Sequence, residues 1–205
     1  MSASPPSLVL FDLDGVLVDY DRRTRMEHLG SAIGCSADAV FAALFESGLE
    51  DRYDAGALTS EAYLAILGDS LGCKVDRSTW SAARVASMTC AQATCARLSA
   101  LSTRCEIAVL TNNGAMIVDL LPHAMPGLFP SLDGRVFCSG ALGASKPSRD
   151  SFLRVVDHLG HAPHRTLFLD DSMDNVDGAR AAGLFAEHVA RPGEFDAILG
   201  VYGLR

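Results

Sequence analysis

Hydrophobic and polar positions along the chain fall into two patterns. Leu8-Val9-Leu10-Phe11 is an unbroken apolar run, too short for a helix and stopped by Asp12-Leu13-Asp14-Gly15. Such a run predicts a strand buried on both faces. Residues 105–110 and 166–169 repeat it, each running into polar residues, Thr111-Asn112-Asn113-Gly114 and Asp170-Asp171. Residues 135–138 and 184–186 are weaker versions. Between these runs apolar residues recur at helical spacing. Met26, Leu29 and Ile33 mark a helix ended by Gly34, and Val40, Phe41, Leu44 and Phe45 a second that starts at Ser36. Tyr63, Leu64, Leu67 and Leu71 mark a third between Thr59 and Gly72, and Trp80, Val85 and Met88 a fourth from about Ser78. Further helices are expected over residues 90–101, 116–121 (broken by Pro122), 148–159, 175–183 and 193–199, with a loop over 139–147.

Strands alternating with helices predict a doubly wound parallel α/β sheet, a Rossmann-like core. The stretch from Tyr20 to Met88 shows helical periodicity and no strand pattern. The expected organisation is therefore a core of residues 7–19 and 89–205 with residues 20–88 inserted as an all-helical cap domain.

Composition narrows the partners. The 205 residues are 49% hydrophobic and carry a net charge of -8. That charge argues against nucleic acid and against an anionic membrane, both of which are bound chiefly through Lys and Arg. No apolar stretch approaches the length of a membrane span. The six cysteines are scattered without a Cys-x-x-Cys pair, which fits free thiols in a reducing cytoplasm. The first seven residues lack the basic and apolar regions of a signal peptide and read as a loose tail. A small phosphorylated molecule remains a fitting partner if a metal supplies local positive charge, and a monomer or homodimer is expected.

The chemistry gathers at strand ends. Asp12 and Asp14, one residue apart, share one side of the chain where a parallel strand opens onto a ligand crevice. One such carboxylate can act as a nucleophile while the other carries a proton for a leaving group. An Asp-x-Asp-Gly sequence also opens calcium loops, but Val16-Leu17-Val18 stands where further acidic ligands would be needed. Thr111, Lys146 and Asp170-Asp171 each follow another strand of the same sheet and should converge on the same edge. Asp12, Asp14 and Asp171 suit a hard cation such as Mg²⁺, and Lys146 and the Thr111 hydroxyl suit the charge of a transferring phosphoryl group.

Four segments in order then carry a resemblance: residues 11–19, Val109-Leu110-Thr111-Asn112, Ser145-Lys146-Pro147, and residues 168–175. Together they resemble the motifs of haloacid dehalogenase superfamily hydrolases, of the branch with a helical cap inserted after the first motif. The resemblance implies a phosphatase in which Asp12 becomes an aspartyl phosphate and Asp14 serves as general acid and base. It implies Mg²⁺ held by the Asp12 carboxylate, the Asp14 backbone carbonyl and the Asp171 carboxylate. Asp170 would act mainly through water, with Asn175 supporting the ligands from behind. Thr111 and the Asn112 backbone would bind the phosphoryl group, and Lys146 would pair with both it and Asp12.

Haloalkanoate dehalogenases of this family need no acid two residues after the nucleophile, so Asp14 favours a phosphatase. A phosphomutase would use the same residues, and a non-catalytic regulatory protein would be expected to have lost one of them. Arg22, Arg23, Arg52, Tyr53 and Asn113 are the candidates for reading the substrate. His158, His161 and His164 are split by Gly160 and Pro163 and read as a surface loop rather than a metal site. Trp80 is expected in the cap core or as an anchor against a second subunit.

Overall fold

The computed structural model describes residues 4–205. Strand β1 (Leu8–Phe11) is buried along its whole length. The segment β2 (Asp19–Tyr20) leads to α1 (Arg22–Ile33), whose start is capped by the Asp21 carboxylate accepting from the Arg23 N–H at 2.9 Å. Next come α2 (Ala37–Phe41), a π-helical turn (Ala42–Glu46), α3 (Leu49–Asp54), α4 (Ser60–Leu71) and α5 (Arg77–Ala86). The chain returns through β3 (Met88–Thr89), which pairs antiparallel with β2. It continues with α6 (Gln92–Leu101), β4 (Glu106–Thr111), α7 (Met116–Ala124), β5 (Val136–Cys138), α8 (Ser139–Leu142) and α9 (Arg149–His158). Last are β6 (Thr166–Asp170), α10 (Met173–Ala181), β7 (Phe185–His188) and α11 (Asp196–Val201).

Five strands form a parallel sheet in the order β5-β4-β1-β6-β7. The chain builds outward from β1 on one side, then crosses to build on the other, so the ends of β1, β4 and β6 flank a switch point where such sheets bind ligands. Alternation along the strands separates two cores. Val9, Phe11, Val109 and Leu169 face a cluster with Leu98, Ile117, Leu121 and Phe195. Leu10, Ala108, Leu110 and Phe168 face Phe152, Val155, Val156 and Val176. Both sheet faces are thus covered by helices, as the unbroken apolar strand sequences predict.

A third cluster lies in the inserted segment, where Met26, Leu29, Leu44, Tyr53, Tyr63, Leu67 and Trp80 pack together. Met116 of α7 joins it, so the insert is seated on the sheet domain. Within it Arg25 and Glu50 form a buried ion pair at 2.5 Å, and the Tyr63 hydroxyl donates to Glu50 at 2.6 Å. Burial alone would raise the Glu50 pKa, but Arg25 and Tyr63 outweigh it and hold the carboxylate below its usual range.

Several local expectations are corrected. The two-residue ladder of β2 and β3 lies at the ends of the insert, where two chain passages run side by side. Short helices α3 and α8 occupy stretches without a readable apolar period. Pro122 lies inside α7, in its last turn, where the helix is about to end anyway. The α5 stripe is also shifted: Trp80, Ala83 and Arg84 are buried, whereas Val85 is 39% exposed. Ala83 and Arg84 stand three and four residues after Trp80 and share its face, while Val85 falls outside it. Among the described residues no single helix is long and apolar enough to cross a membrane.

This register has a measurable consequence. We expect Trp80→Ala to cost about 3–5 kcal/mol of stability and Val85→Ala to stay within about 0.5 kcal/mol of the parent. Urea unfolding followed by circular dichroism checks both, and comparable losses at the two positions would contradict the register.

Candidate active site

The polar residues that end the strands come together at the switch point. Backbone pairing aligns Phe11 with Val109 of β4 and Leu169 of β6, so Asp12 leaves β1 level with the ends of both neighbours. The Asp12 N–H donates to the Leu169 carbonyl at 2.8 Å, which extends the ladder one residue past the strand. Gly15 then turns the chain with a φ of +87°, and a Cβ there would lie 2.2 Å from an Asp171 oxygen. Only glycine lets the loop after β1 pass so close to the end of β6.

Lys146 sits at the centre. Its ammonium lies 2.7 Å from Asp12 and 2.6 Å from Asp170, and it is 4% exposed. Asn112 fixes its backbone from both sides, donating to the Lys146 carbonyl at 2.8 Å and accepting the Lys146 N–H at 2.9 Å. Asp170 is held in turn by the Ser172 N–H at 2.8 Å and by the Asn175 amide at 3.1 Å. Burial disfavours the Lys146 charge, but its two carboxylate partners outweigh burial and raise its pKa. Burial also dominates at Asp12: despite Lys146, and with Asp170 adding like charge, its pKa is raised to about 7. Asp171 is raised as well, by burial and by Asp170.

These acids can hold a metal. Asp12, Asp170 and Asp171 each offer a carboxylate oxygen, and the three lie within 4.8 Å of one another. An all-oxygen set suits a hard cation such as Mg²⁺. Charge agrees: Lys146 alone is shared by Asp12 and Asp170, with Asp171 beside them, so the cluster holds more carboxylates than cations. Both Asp170 oxygens already accept from Lys146, Asn175 or Ser172.

Asp14 lies on the cleft side. Its Oδ2 accepts from Arg84 and, at 3.2 Å, from the Asn113 amide, whereas its buried Oδ1 has no hydrogen-bond partner among the described residues. Asn113 also donates to the Thr111 hydroxyl at 2.8 Å, so it links Thr111 and Asp14. Together these residues offer an ionisable nucleophile, a second acid, a fixed cation and hydroxyl and backbone donors around one point. That is the equipment of phosphoryl transfer.

The cleft above them has a volume of about 310 Å³, and its walls include residues of the insert. Of the sequence candidates for reading the substrate, Asn113 and Arg22 line it, Arg22 with its guanidinium 4.4 Å from the Phe45 ring centre, and Asn112, a candidate for binding the phosphoryl group, lines it too. Arg23 instead pairs with Glu27 on the surface, and Arg52 is exposed away from the cleft. Tyr53 does not reach the cleft: it stacks on Tyr63, and its hydroxyl accepts the Met116 N–H at 3.0 Å. A Cβ on Gly114 would meet the Tyr53 ring at 2.0 Å, so this tyrosine seats the insert on the sheet domain. His161 bridges Ser7 and Glu106, and His158 meets Phe137 edge-on, which leaves the three histidines apart from any shared site.

Sequence reasoning missed Tyr20, Arg25, Glu50, Asp54 and Arg84 in the cleft wall. For Arg84 a signal existed, since a charged residue four positions after Trp80 shares the buried face of its helix. Asp54 is half-buried, and burial, reinforced by Glu50, pushes its pKa to about 8.

Comparison with known proteins agrees with this geometry. Residues 6–183 match the family model for haloacid dehalogenase-like hydrolases. Over 89 residues, 43% of this chain and 41% of the relative, the sequence is 34% identical to Phosphatase MT3486 of Mycobacterium tuberculosis (strain CDC 1551 / Oshkosh). The match thus spans less than half of that curated relative. A predicted HAD-like family hydrolase from Porphyromonas gingivalis superposes with a TM-score of 0.82 at 22% identity, over 97% of this chain and 98% of that one. A HAD family enzyme from Bacteroides thetaiotaomicron, solved in complex with magnesium and inorganic phosphate, gives 0.73 at 19% identity over 89% and 93%. At these identities the two structures speak for the fold.

Asp54 gives a test of the cleft's electrostatics. Its proton is held up to about pH 8 in the folded protein but only to the ordinary 3.8 when unfolded. Folded protein therefore binds more protons across that window, and the stability Asp54 contributes is lost as pH rises through it. Asp54→Asn removes this loss. We expect its stability relative to the parent to grow between those two pH values, as read from urea midpoints at each end. A difference that does not change with pH contradicts the raised proton affinity.

Proposed function

Because the chain belongs to the haloacid dehalogenase-like hydrolases, we propose that it is a magnesium-dependent phosphatase acting on a small phosphomonoester through a phosphoaspartyl intermediate on Asp12. One observation carries the reading: Asp12, Asp170 and Asp171 present oxygens within 4.8 Å of one another while Lys146 holds Asp12 at 2.7 Å. A buried nucleophile is thus oriented beside a place for a cation. The insert, residues 20–88, is read as a cap domain that closes over the site and shields it from water.

In this reading the phosphoryl group lies between Asp12, Thr111 and Lys146. Lys146 fixes the attacking carboxylate, and its charge together with the Thr111 hydroxyl and the Asn112 backbone N–H stabilises the phosphoryl oxygens. Magnesium, held by the carboxylates of Asp12 and Asp171 and the Asp14 carbonyl, would add positive charge beside those oxygens. Asp12 attacks phosphorus and the ester bond breaks, with Asp14 giving its proton to the departing alcohol. Asp14 then takes a proton from water as that water attacks the aspartyl phosphate, which releases phosphate and restores Asp12. Support for the Asp14 role is that it lines the cleft two residues after Asp12 and that its Oδ1 has no hydrogen-bond partner among the described residues. Asp170 and Asn175 serve as positioning residues, since Asp170 orients Lys146 and Asn175 orients Asp170.

The purified protein should release phosphate from para-nitrophenyl phosphate when Mg²⁺ is present and stop when EDTA is added. Asp12→Asn should lower kcat by about a thousand-fold or more. Turnover that survives either treatment contradicts the reading, and a hexose phosphate returned with its phosphoryl group moved would indicate a mutase.

A further inference from the structure

The start of α6 brings two thiols into contact. Ala91 precedes its first turn and has no side-chain oxygen to accept the helix's first N–H groups. The residue before such a cap and the fourth residue of the helix lie side by side, where an apolar pair often staples the incoming chain to the helix. Here those positions hold Cys90 and Cys95, and the two sulfurs stand 3.5 Å apart. Both side chains are half-buried and so reach solvent. Gly127 backs onto Cys95, where a Cβ would lie 2.9 Å from the sulfur. Other cysteines are placed differently: the Cys35 and Cys105 thiols donate to the carbonyls of Leu71 and Leu101 at 3.8 Å, and Cys138 is buried.

A disulfide needs its sulfurs about 2.05 Å apart. Side-chain rotation supplies the remaining approach, because the helix start already holds the pair in contact. The two thiols differ in readiness. Burial, with Cys95 beside it, pushes the Cys90 pKa up to about 12, so Cys90 keeps its proton at neutral pH. A thiolate is the form that attacks an oxidant, which leaves that step to Cys95 and makes Cys90 the thiol that follows. The location gives such a bond a consequence. Cys90 directly follows β3, on which the chain returns from the insert to the sheet domain. Leu98 and Leu101 bury α6 in the core on one face of that sheet.

We propose that Cys90 and Cys95 are a modification site that a hydroperoxide converts to a disulfide, which fixes the return passage of the insert to α6. The Cys95 thiolate attacks one peroxide oxygen and the O–O bond breaks. The departing hydroxide takes up the proton that Cys95 released and leaves as water, with Cys95 now a sulfenic acid. The Cys90 sulfur then attacks the Cys95 sulfur and the S–O bond breaks, so that the hydroxyl leaves with the Cys90 proton as a second water. Two thiols are thereby oxidised to one disulfide, and the peroxide is reduced to two waters. A dithiol reverses the change by thiol–disulfide exchange. The site shares no residue with the phosphoryl-transfer chemistry and stands whether or not that reading does.

Hydrogen peroxide applied to the reduced full chain tests this. Remaining thiols are then blocked with iodoacetamide and the protein is digested with trypsin, which cuts after Arg84 and Arg97 and so leaves both cysteines on one peptide. In most of the protein that peptide should be unalkylated and lighter by two hydrogens, and dithiothreitol should restore alkylation at both positions. Met88 lies on the same peptide, but its oxidation adds an oxygen and is told apart by mass. Amide hydrogen exchange over residues 85–97 should slow severalfold in the oxidised protein. In Cys90→Ser, dimedone should label Cys95, and in Cys95→Ser it should leave Cys90 unlabelled. The parent protein carries the main readout, so the proposal can be tested without either variant. Cys90 and Cys95 still alkylated after peroxide, a sulfinic acid at Cys95 in place of the disulfide, or exchange unchanged by the bond overturns the proposal.

Discussion

One buried ammonium group holds this site together. Lys146 lies between Asp12 and Asp170, which come from the ends of two adjacent strands, and it arrives on a loop from elsewhere in the chain. A charge left alone at such depth would cost several kcal/mol, so the three groups are stable there only as a set. Asn112 clasps the Lys146 backbone and thereby ties in the end of β4. The set remains one positive charge short, since two carboxylates share one cation. Burial, with that shortage, pushes the Asp12 pKa upward, and the shortage makes the neighbourhood receptive to a divalent ion.

The same constraint orders the rest of the molecule. A parallel sheet covered on both faces leaves only its edge for polar groups, and the acids stand at that edge. The inserted helices complete the site from above. Tyr53 against Gly114, Ser139 donating to the Asp54 carbonyl at 2.5 Å, and Arg84 on Asp14 seat them over the strand ends. The two-residue ladder of β2 and β3 joins the chain passages between the two parts, and beside it the Asp21 N–H donates to the Ser87 carbonyl at 2.9 Å.

The core of this arrangement was legible in the sequence because it depends on local pattern. Apolar runs ending in Asp12-Leu13-Asp14, Thr111 and Asp170-Asp171 located three strand ends, and parallel alternation required them to share an edge. The insert was less legible. Its helices could be counted from periodicity, but the faces they turn to the cleft depend on how they pack together, which no local pattern encodes. Val85 and Arg84 show the difficulty: adjacent on α5, one is exposed and the other buried, against the order that hydrophobicity suggests. Arg84 is buried because Asp14, Asn113 and Tyr20 wait for it from distant parts of the chain. Tyr53 illustrates the converse, a polar residue spent on seating the insert rather than on substrate.

The most direct examination of the central claim is chemical trapping during turnover. The protein is mixed with magnesium and a radiolabelled phosphomonoester, quenched in acid within the first turnovers, digested and mapped. The account requires acid-stable label on the peptide that contains Asp12, lost when hydroxylamine cleaves the acyl phosphate and absent from Asp12→Asn. Phosphate release with no labelled peptide at any quench time, or label confined to another residue, would contradict it.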